Sequence, residues 1–282
     1  LVTGVQTCAL PIFGLVENEA SIGLLAELGV DVWDAAKVVL ITDHFVGERD
    51  ELSVEIQSLT RDWAAKRNLG GYHEAQGICH VVLPERGHLR PGLFAVGGDS
   101  HSPTAGAWGC FMFGVGATEM LGVWVTGEIW VKVPHTHLVR WHGRLGPGLA
   151  AKDMMLKLCR EMGLGTLRYG VVEYAGDAIA ALGMPERMVL TNMSAELGAQ
   201  TGIIAPDDTT VAALKTAGVD APDALSWRGE ADAPYAKVWD FDASDLAPQI
   251  AAPHTPENSA PAGDYANVHV DRSEEHTSEL QA

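Results

Sequence analysis

Short apolar runs alternate along this chain with longer segments whose apolar residues recur at helical spacing. Val38–Thr42 is a β-branched run that reads as a strand and ends in Asp43-His44. Asp50 then stands as a helix cap, Leu52, Ile56, Leu59 and Trp63 fall on one face, and Gly70-Gly71 marks the stop. Ile78–Leu83 reads as a second strand or buried segment carrying His80, and Leu93–Val96 as a third strand. Ala117–Trp130 is apolar nearly all round, which predicts a buried helix. Beyond a junction at Val133-Pro134, Leu138–Trp141 and Val171–Tyr174 read as strands. Ala151–Met162 reads as a helix with Met155, Leu158, Cys159 and Met162 on one stripe, and Asn192–Gly198 as a shorter one. Lys237–Phe241 reads as a peripheral strand inside a stretch rich in Ala, Pro and Asp. Strands alternating with helices predict an α/β layered fold.

Composition narrows the function. The 282 residues suffice for one large or two ordinary domains. A formal charge of −18, from 19 basic and 37 acidic residues, opposes binding to nucleic acid or to an anionic membrane. No uninterrupted apolar run reaches membrane-spanning length. Cys79, Cys110 and Cys159 are widely spaced among apolar neighbours, with no C-x-x-C, and read as reduced, buried thiols of a cytoplasmic protein. Residues 3–12 and 272–281 resemble the two strands of a sequencing adapter in translation. Residues 1–12 and 272–282 are therefore set aside from the fold.

The densest chemistry lies in Gly98-Asp99-Ser100-His101-Ser102-Pro103-Thr104, just after an apolar strand. In open α/β sheets, chemistry gathers where strands end and helices begin. His44 follows Asp43 at one such end, and His80 interrupts an apolar segment and must find a partner. Glu196 sits in Thr191-Asn192-Met193-Ser194-Ala195-Glu196-Leu197-Gly198-Ala199. A carboxylate beside an imidazole fixes its tautomer and favours its protonated form, as proton transfer near neutral pH requires. Other signals are weaker. Asp99-Ser100-His101 lacks the G-x-S-x-G turn of a hydrolase, and consecutive residues of an extended segment point different ways. Gly114-Val115-Gly116-Ala117-Thr118-Glu119 is half a dinucleotide fingerprint. His135-Thr136-His137 could offer two zinc ligands without a third. His73, His88, His142, His254 and His269 read as surface or structural.

Taken together, the motifs resemble the aconitase superfamily, in particular large subunits of the 3-isopropylmalate dehydratase and homoaconitase type. The matching stretches are Ile41–Val46, Gly77–His80, Gly98–Thr104 with Phe113–Glu119, and Thr191–Ala199 with Ile204–Asp207, in the family's order. The resemblance implies three-layer α/β/α domains, a first over 13–134 and a second over 135–271. It implies a hydro-lyase that interconverts hydroxy-acid isomers by removing and re-adding water. 3-Isopropylmalate is favoured as substrate over homoaconitate, a dialkylmalate or citrate. It further implies that Asp43 with His44 protonates the leaving hydroxyl. His80 with Asp99 and His101 with Glu196 are implied as supporting pairs, Ser100 as a contact to a substrate carboxylate, and Asn192 as a neighbour of a [4Fe-4S] cluster. The family's cluster is held by three cysteines downstream of the Asn192 motif, and no cysteine follows Cys159 here. The chain is thus expected to be a piece of a large subunit that binds no cluster and is inactive alone. A small, swivel-domain subunit is the expected partner. The alternatives from other classes are a non-catalytic binding protein and a metallohydrolase with His44, His80 and His101 as ligands.

Overall fold

The computed structural model describes residues 7–10 and 25–269, except 45, 48, 49 and 231. Parallel strands alternate with helices, as the apolar pattern predicts. The first half carries β1 (Thr7–Leu10), β2 (Val39–Thr42), α1 (Glu51–Arg67), β3 (Gly71–Glu74), α2 (Cys79–Glu85), β4 (Phe94–Gly97), β5 (Phe111–Gly114) and α3 (Ala117–Thr126). The second half carries β6 (Thr136–His142), α4 (Ala151–Met162), β7 (Val171–Ala175), α5 (Asp177–Ala180), α6 (Met184–Asn192), β8 (Thr201–Ile204), α7 (Asp208–Thr216) and β9 (Lys237–Asp242). A small antiparallel pair, β10 (Gln249–Ala251) and β11 (Ser259–Pro261), follows.

The strands form a β1-β4-β5 sheet, a β2-β3 pair and a four-stranded β8-β7-β6-β9 sheet, all parallel. Helices pack on the parallel strands because these carry apolar residues that must leave water. Val139, Trp141, Val172 and Tyr174 meet Met154, Met155, Leu158 and Cys159 of α4 in one core. A second core joins Ile41, Val82 and Met112 of the first half to Met184, Met188 and Leu214 of the second. At this seam the chain makes its closest approach: a Cβ on Gly106 would lie 1.6 Å from the carbonyl oxygen of Gly202. Only glycine fits there.

Several expectations need correction. Ile78–Leu83 is not a strand: Ile78 precedes helix α2, and His80 sits in its first turn. Short apolar runs do not distinguish the two by pattern, and Gly77 at φ +128 turns the chain into the helix. Helix α1 buries Ser53, Ile56, Gln57, Thr60, Trp63 and Ala64, while Leu52 is 50% exposed. Its buried stripe is half polar, which hides it from a hydrophobic pattern. The helix closes on Asn68 in the left-handed region, before the two glycines, and Gly71 already opens β3, which was not anticipated. Helix α3 stops at Thr126 on Gly127 and buries only Met120, Val123 and Trp124; Trp130 is 83% exposed. The helix expected at Asn192–Gly198 instead ends at Asn192, and turns follow. Thr7–Leu10, set aside with the adapter-like end, pairs with β4. An open parallel edge accepts a short extended segment through backbone bonds alone.

Candidate active site

Strands β2 and β4 are each followed closely by a carboxylate: Asp43 after Thr42, and Asp99 two residues after Gly97. Asp43 is buried, with 4% of its side chain exposed. Its Oδ1 accepts from His44 Nδ1 at 2.7 Å, and its Oδ2 accepts from the Cys79 amide at 3.0 Å. The second bond satisfies an amide of the first turn of α2, whose preceding residue, Ile78, has no capping side chain. Asp43 thereby sits beside the turn that carries His80. His44 is 55% exposed in its side chain. With Nδ1 held by Asp43, its Nε2 is the ring atom left for other partners.

His80, 3% exposed, places Nε2 3.0 Å from Asp99 Oδ1. The same oxygen accepts from the His101 amide at 2.6 Å, and His101 Nδ1 lies 3.9 Å away. Burial pushes the Asp99 carboxyl up, but the bond and charge of His80 and the amide and charge of His101 outweigh it, and the group is held below the usual carboxylate range. On its far side His101 reaches Glu196 Oε1 from Nε2 at 3.2 Å, and Ser100 Oγ lies 3.1 Å from its Nδ1. A carboxylate only accepts, so Nε2 carries the proton, while the Ser100 hydroxyl can donate to Nδ1 or accept from it. Glu196 Oε2 is buried and has no hydrogen-bond partner among the described residues. The two rings, His80 and His101, are 6.5 Å apart between centroids. The result is a continuous line: His80, Asp99, His101, Glu196, with Asp43 and His44 joined to it through the start of α2.

Asn192 is buried, and its Nδ2 donates to Thr104 Oγ1 at 2.9 Å. Thr104 and the Cys79 amide are parts of this arrangement that the sequence did not single out. A backbone amide leaves no mark in the sequence. Thr104 ends the Asp99–Thr104 motif and was available to notice.

The three cysteines whose side chains are described, Cys79, Cys110 and Cys159, do not converge. Cys79 and Cys110 lie in one apolar core and Cys159 in another. Cys110 Sγ donates to the Arg90 carbonyl, and burial, with the Glu196 charge, pushes the Cys159 thiol up to about 12. Iron–sulfur clusters need thiolates gathered at one point. Among the described residues no group of three His, Cys, Asp or Glu is placed to hold a metal ion. These residues therefore do not fit the ligand set of such a cluster. Among the described residues neither His135 with His137 nor His44 with His80 and His101 forms part of such a group.

Three imidazole–carboxylate pairs, Asp43–His44, His80–Asp99 and His101–Glu196, are what this α/β fold of parallel sheets brings together. Residues 31–282 match the Aconitase family (aconitate hydratase), and the chain belongs to that family. It is 40% identical over 242 residues to a protein of Methanosarcina mazei named probable methanogen homoaconitase large subunit, covering 86% of this chain and 61% of that protein. It is 38% identical over 251 residues to the 3-isopropylmalate dehydratase large subunit 1 of Methanopyrus kandleri, covering 88% and 59%. It is 39% identical over 249 residues to the 3-isopropylmalate dehydratase large subunit of Moorella thermoacetica, covering 87% and 59%. The chain spans about three fifths of the length of these relatives.

Proposed function

We propose that the whole protein removes and re-adds water on a small hydroxy di- or tricarboxylic acid, and that its substrate pair is 3-isopropylmalate and 2-isopropylmalate. Family membership supports the reaction class, and the names of two of the relatives above support the substrate. The relative named for homoaconitase is as similar, so homoaconitate is the second reading. Because all three relatives are named large subunits, we take a small subunit as partner. The cytoplasm is the proposed location; no helix among the described residues is long and apolar enough to cross a membrane.

Elimination of water needs a proton delivered to the departing hydroxyl and another taken from the neighbouring carbon. His44 is our choice for the first. Asp43 holds Nδ1, so the exposed Nε2 is the atom that gives up a proton and regains it in the reverse direction. The buried carboxylate keeps the ring oriented through those events. Ser100 is exposed, and its hydroxyl can turn from His101 Nδ1 to a substrate carboxylate. His80 with Asp99, and His101 with Glu196, fix the charge around the substrate. Asn192 braces this wall through Thr104. The [4Fe-4S] cluster that the family resemblance implies belongs, in this reading, to residues outside those described.

The observation that carries the proposal is the joining of three histidine–carboxylate pairs across separate strand ends. The test is turnover of 3-isopropylmalate and of homoaconitate by the whole protein with its small subunit, followed as absorbance of the unsaturated intermediate. His44→Ala is expected to lower kcat by about 10²–10⁴-fold, the usual contribution of a positioned acid. Unchanged kcat in that variant would remove His44 from the reaction, and turnover of homoaconitate alone would replace the substrate.

A further inference from the structure

Thr104 is 1% exposed and lies in the turn of 3-10 helix that follows His101. Its hydroxyl donates to the His101 carbonyl at 2.6 Å and accepts from Asn192 Nδ2 at 2.9 Å. Its own carbonyl accepts from Thr191 Oγ1 at 3.0 Å. Thr191 and Asn192 are the last two residues of α6, and the turns after them lead directly to Glu196. Two hydrogen bonds at this buried residue thus tie the His101 loop to the end of the helix that delivers Glu196, and a third ties Thr104 to His101 itself. The helix itself is fixed at its other end. Arg187, fully buried, grips Asp207 with two bonds of 2.7 and 2.6 Å and donates to the carbonyls of Leu182 and Ala180.

We propose that Thr104 is a positioning residue that keeps His101 Nε2 within hydrogen-bond reach of Glu196, acting through the His101 backbone on one side and the end of α6 on the other. At 3.2 Å that bond is at the long limit of the usual range, so a drift of a few tenths of an ångström breaks it. Thr104 is spent within the joint and touches no substrate. The inference deepens the reading of His101 and Glu196 as a working pair and rests on it.

The test reads the pair itself rather than turnover. In the 282-residue chain with ¹⁵N-labelled histidine, the His101 Nε2–H is expected to be a protected ring proton with measurable exchange. Thr104→Val keeps the shape and removes the hydroxyl, and is expected to speed that exchange about tenfold, the equivalent of one net hydrogen bond. Thr104→Ser restores the hydroxyl and is expected to restore slow exchange. Thr60→Val removes a different buried hydroxyl, bonded to the Ile56 carbonyl at 2.9 Å within α1, and is expected to lower the melting temperature without changing His101 exchange. If Thr104→Val does not fold, Asn192→Ala withdraws the donor from the other side and is expected to speed exchange as well. The proposal falls if the parent shows no protected His101 ring proton, or if Thr104→Val or its Asn192→Ala substitute exchanges as slowly as the parent. It also falls if the serine variant behaves like the valine one, or if Thr60→Val accelerates exchange equally. Because nothing here depends on catalysis, His44→Ala can fail to affect turnover while this result stands, and the reverse.

Discussion

At the scale of single residues, Asp43 has two employments, and they can be separated. One carboxylate oxygen orients His44, and the other closes the first turn of α2 through the Cys79 amide. Asp43→Asn keeps an oxygen for one partner and places an NH₂ against the other. Turning the oxygen toward His44 leaves the Cys79 amide facing a donor in a buried place. The expected outcome is a loss of about 1–3 kcal/mol in urea unfolding, the cost of an unsatisfied buried amide. Asp43→Asn with unchanged stability would mean that the Cys79 amide finds another acceptor. The Asp43–His44 contact was legible because the two are neighbours in sequence. The His80–Asp99 and His101–Glu196 contacts were not derivable from spacing. They join residues that only strand order and the placement of α6 bring together, and only the family resemblance suggested them.

At the scale of elements, the short pieces around the site are held by polar contacts that a hydrophobic pattern does not see. Strand β3 was missed because its four residues, Gly71–Glu74, are all only half-buried and include three polar or glycine positions. Helix α2 reads only as a strand or buried segment for the same lack of periodicity. These two elements meet in a contact between histidines that the sequence offered only as structural. His73 Nε2 lies 2.6 Å from His88 Nε2, joining β3 to the turn after α2. One nitrogen must donate and the other accept, so the accepting ring is unprotonated at Nε2. Burial lowers both; the charge of Arg86 adds to the effect on His73, against a bond from Gln76, and the charge of His73 adds to that on His88, which falls to about 4. A histidine whose folded value lies below its unfolded value of about 6.5 contributes stability that is complete above that pH. The contribution is lost as pH falls toward the folded value, because the unfolded chain takes up the proton first. Full linkage over that interval would be roughly 3 kcal/mol, and partial exposure of both rings reduces it to about 1 kcal/mol. Urea unfolding at pH 7.5 and at pH 5 is expected to show that loss in the parent and much less of it in His88→Gln. Equal losses in both proteins would place the acid sensitivity elsewhere. Long helices with one-sided apolar stripes fared better: α4 runs from Ala151 to Met162 as the pattern predicts, because Met155, Leu158, Cys159 and Met162 all enter the core.

At the scale of the whole molecule, the layered α/β class was readable from the alternation of strands and helices, but the joint between the halves was not. The apolar pattern breaks at Val133-Pro134, yet Met184, Met188 and Leu214 pack into the core of the first half, and Gly106 abuts Gly202 across the seam. No pattern along one chain reports a contact between two glycines. Gly106→Ala sets a methyl group against a carbonyl oxygen and is expected to cost about 3 kcal/mol or more, since backbone on both sides must move. A melting temperature equal to the parent's would mean that the seam can open. The same packing decides the state of the described thiols. Cys79 and Cys110 are enclosed in the seam core and Cys159 in the core under the second sheet, each at 2% exposure or less. Thiolates, not thiols, bind iron and react with alkylating agents, and burial keeps the Cys159 proton in place up to about 12. Iodoacetamide at pH 8 is therefore expected to leave Cys79, Cys110 and Cys159 unmodified in the folded chain and to modify all three in urea, as peptide mass spectrometry would show. Anaerobic incubation with iron and sulfide is expected to give no brown visible absorption that depends on these three residues. Such an absorption, lost when all three are replaced by alanine, would mean that the two cores open and their thiols meet, against the packing that holds the halves together.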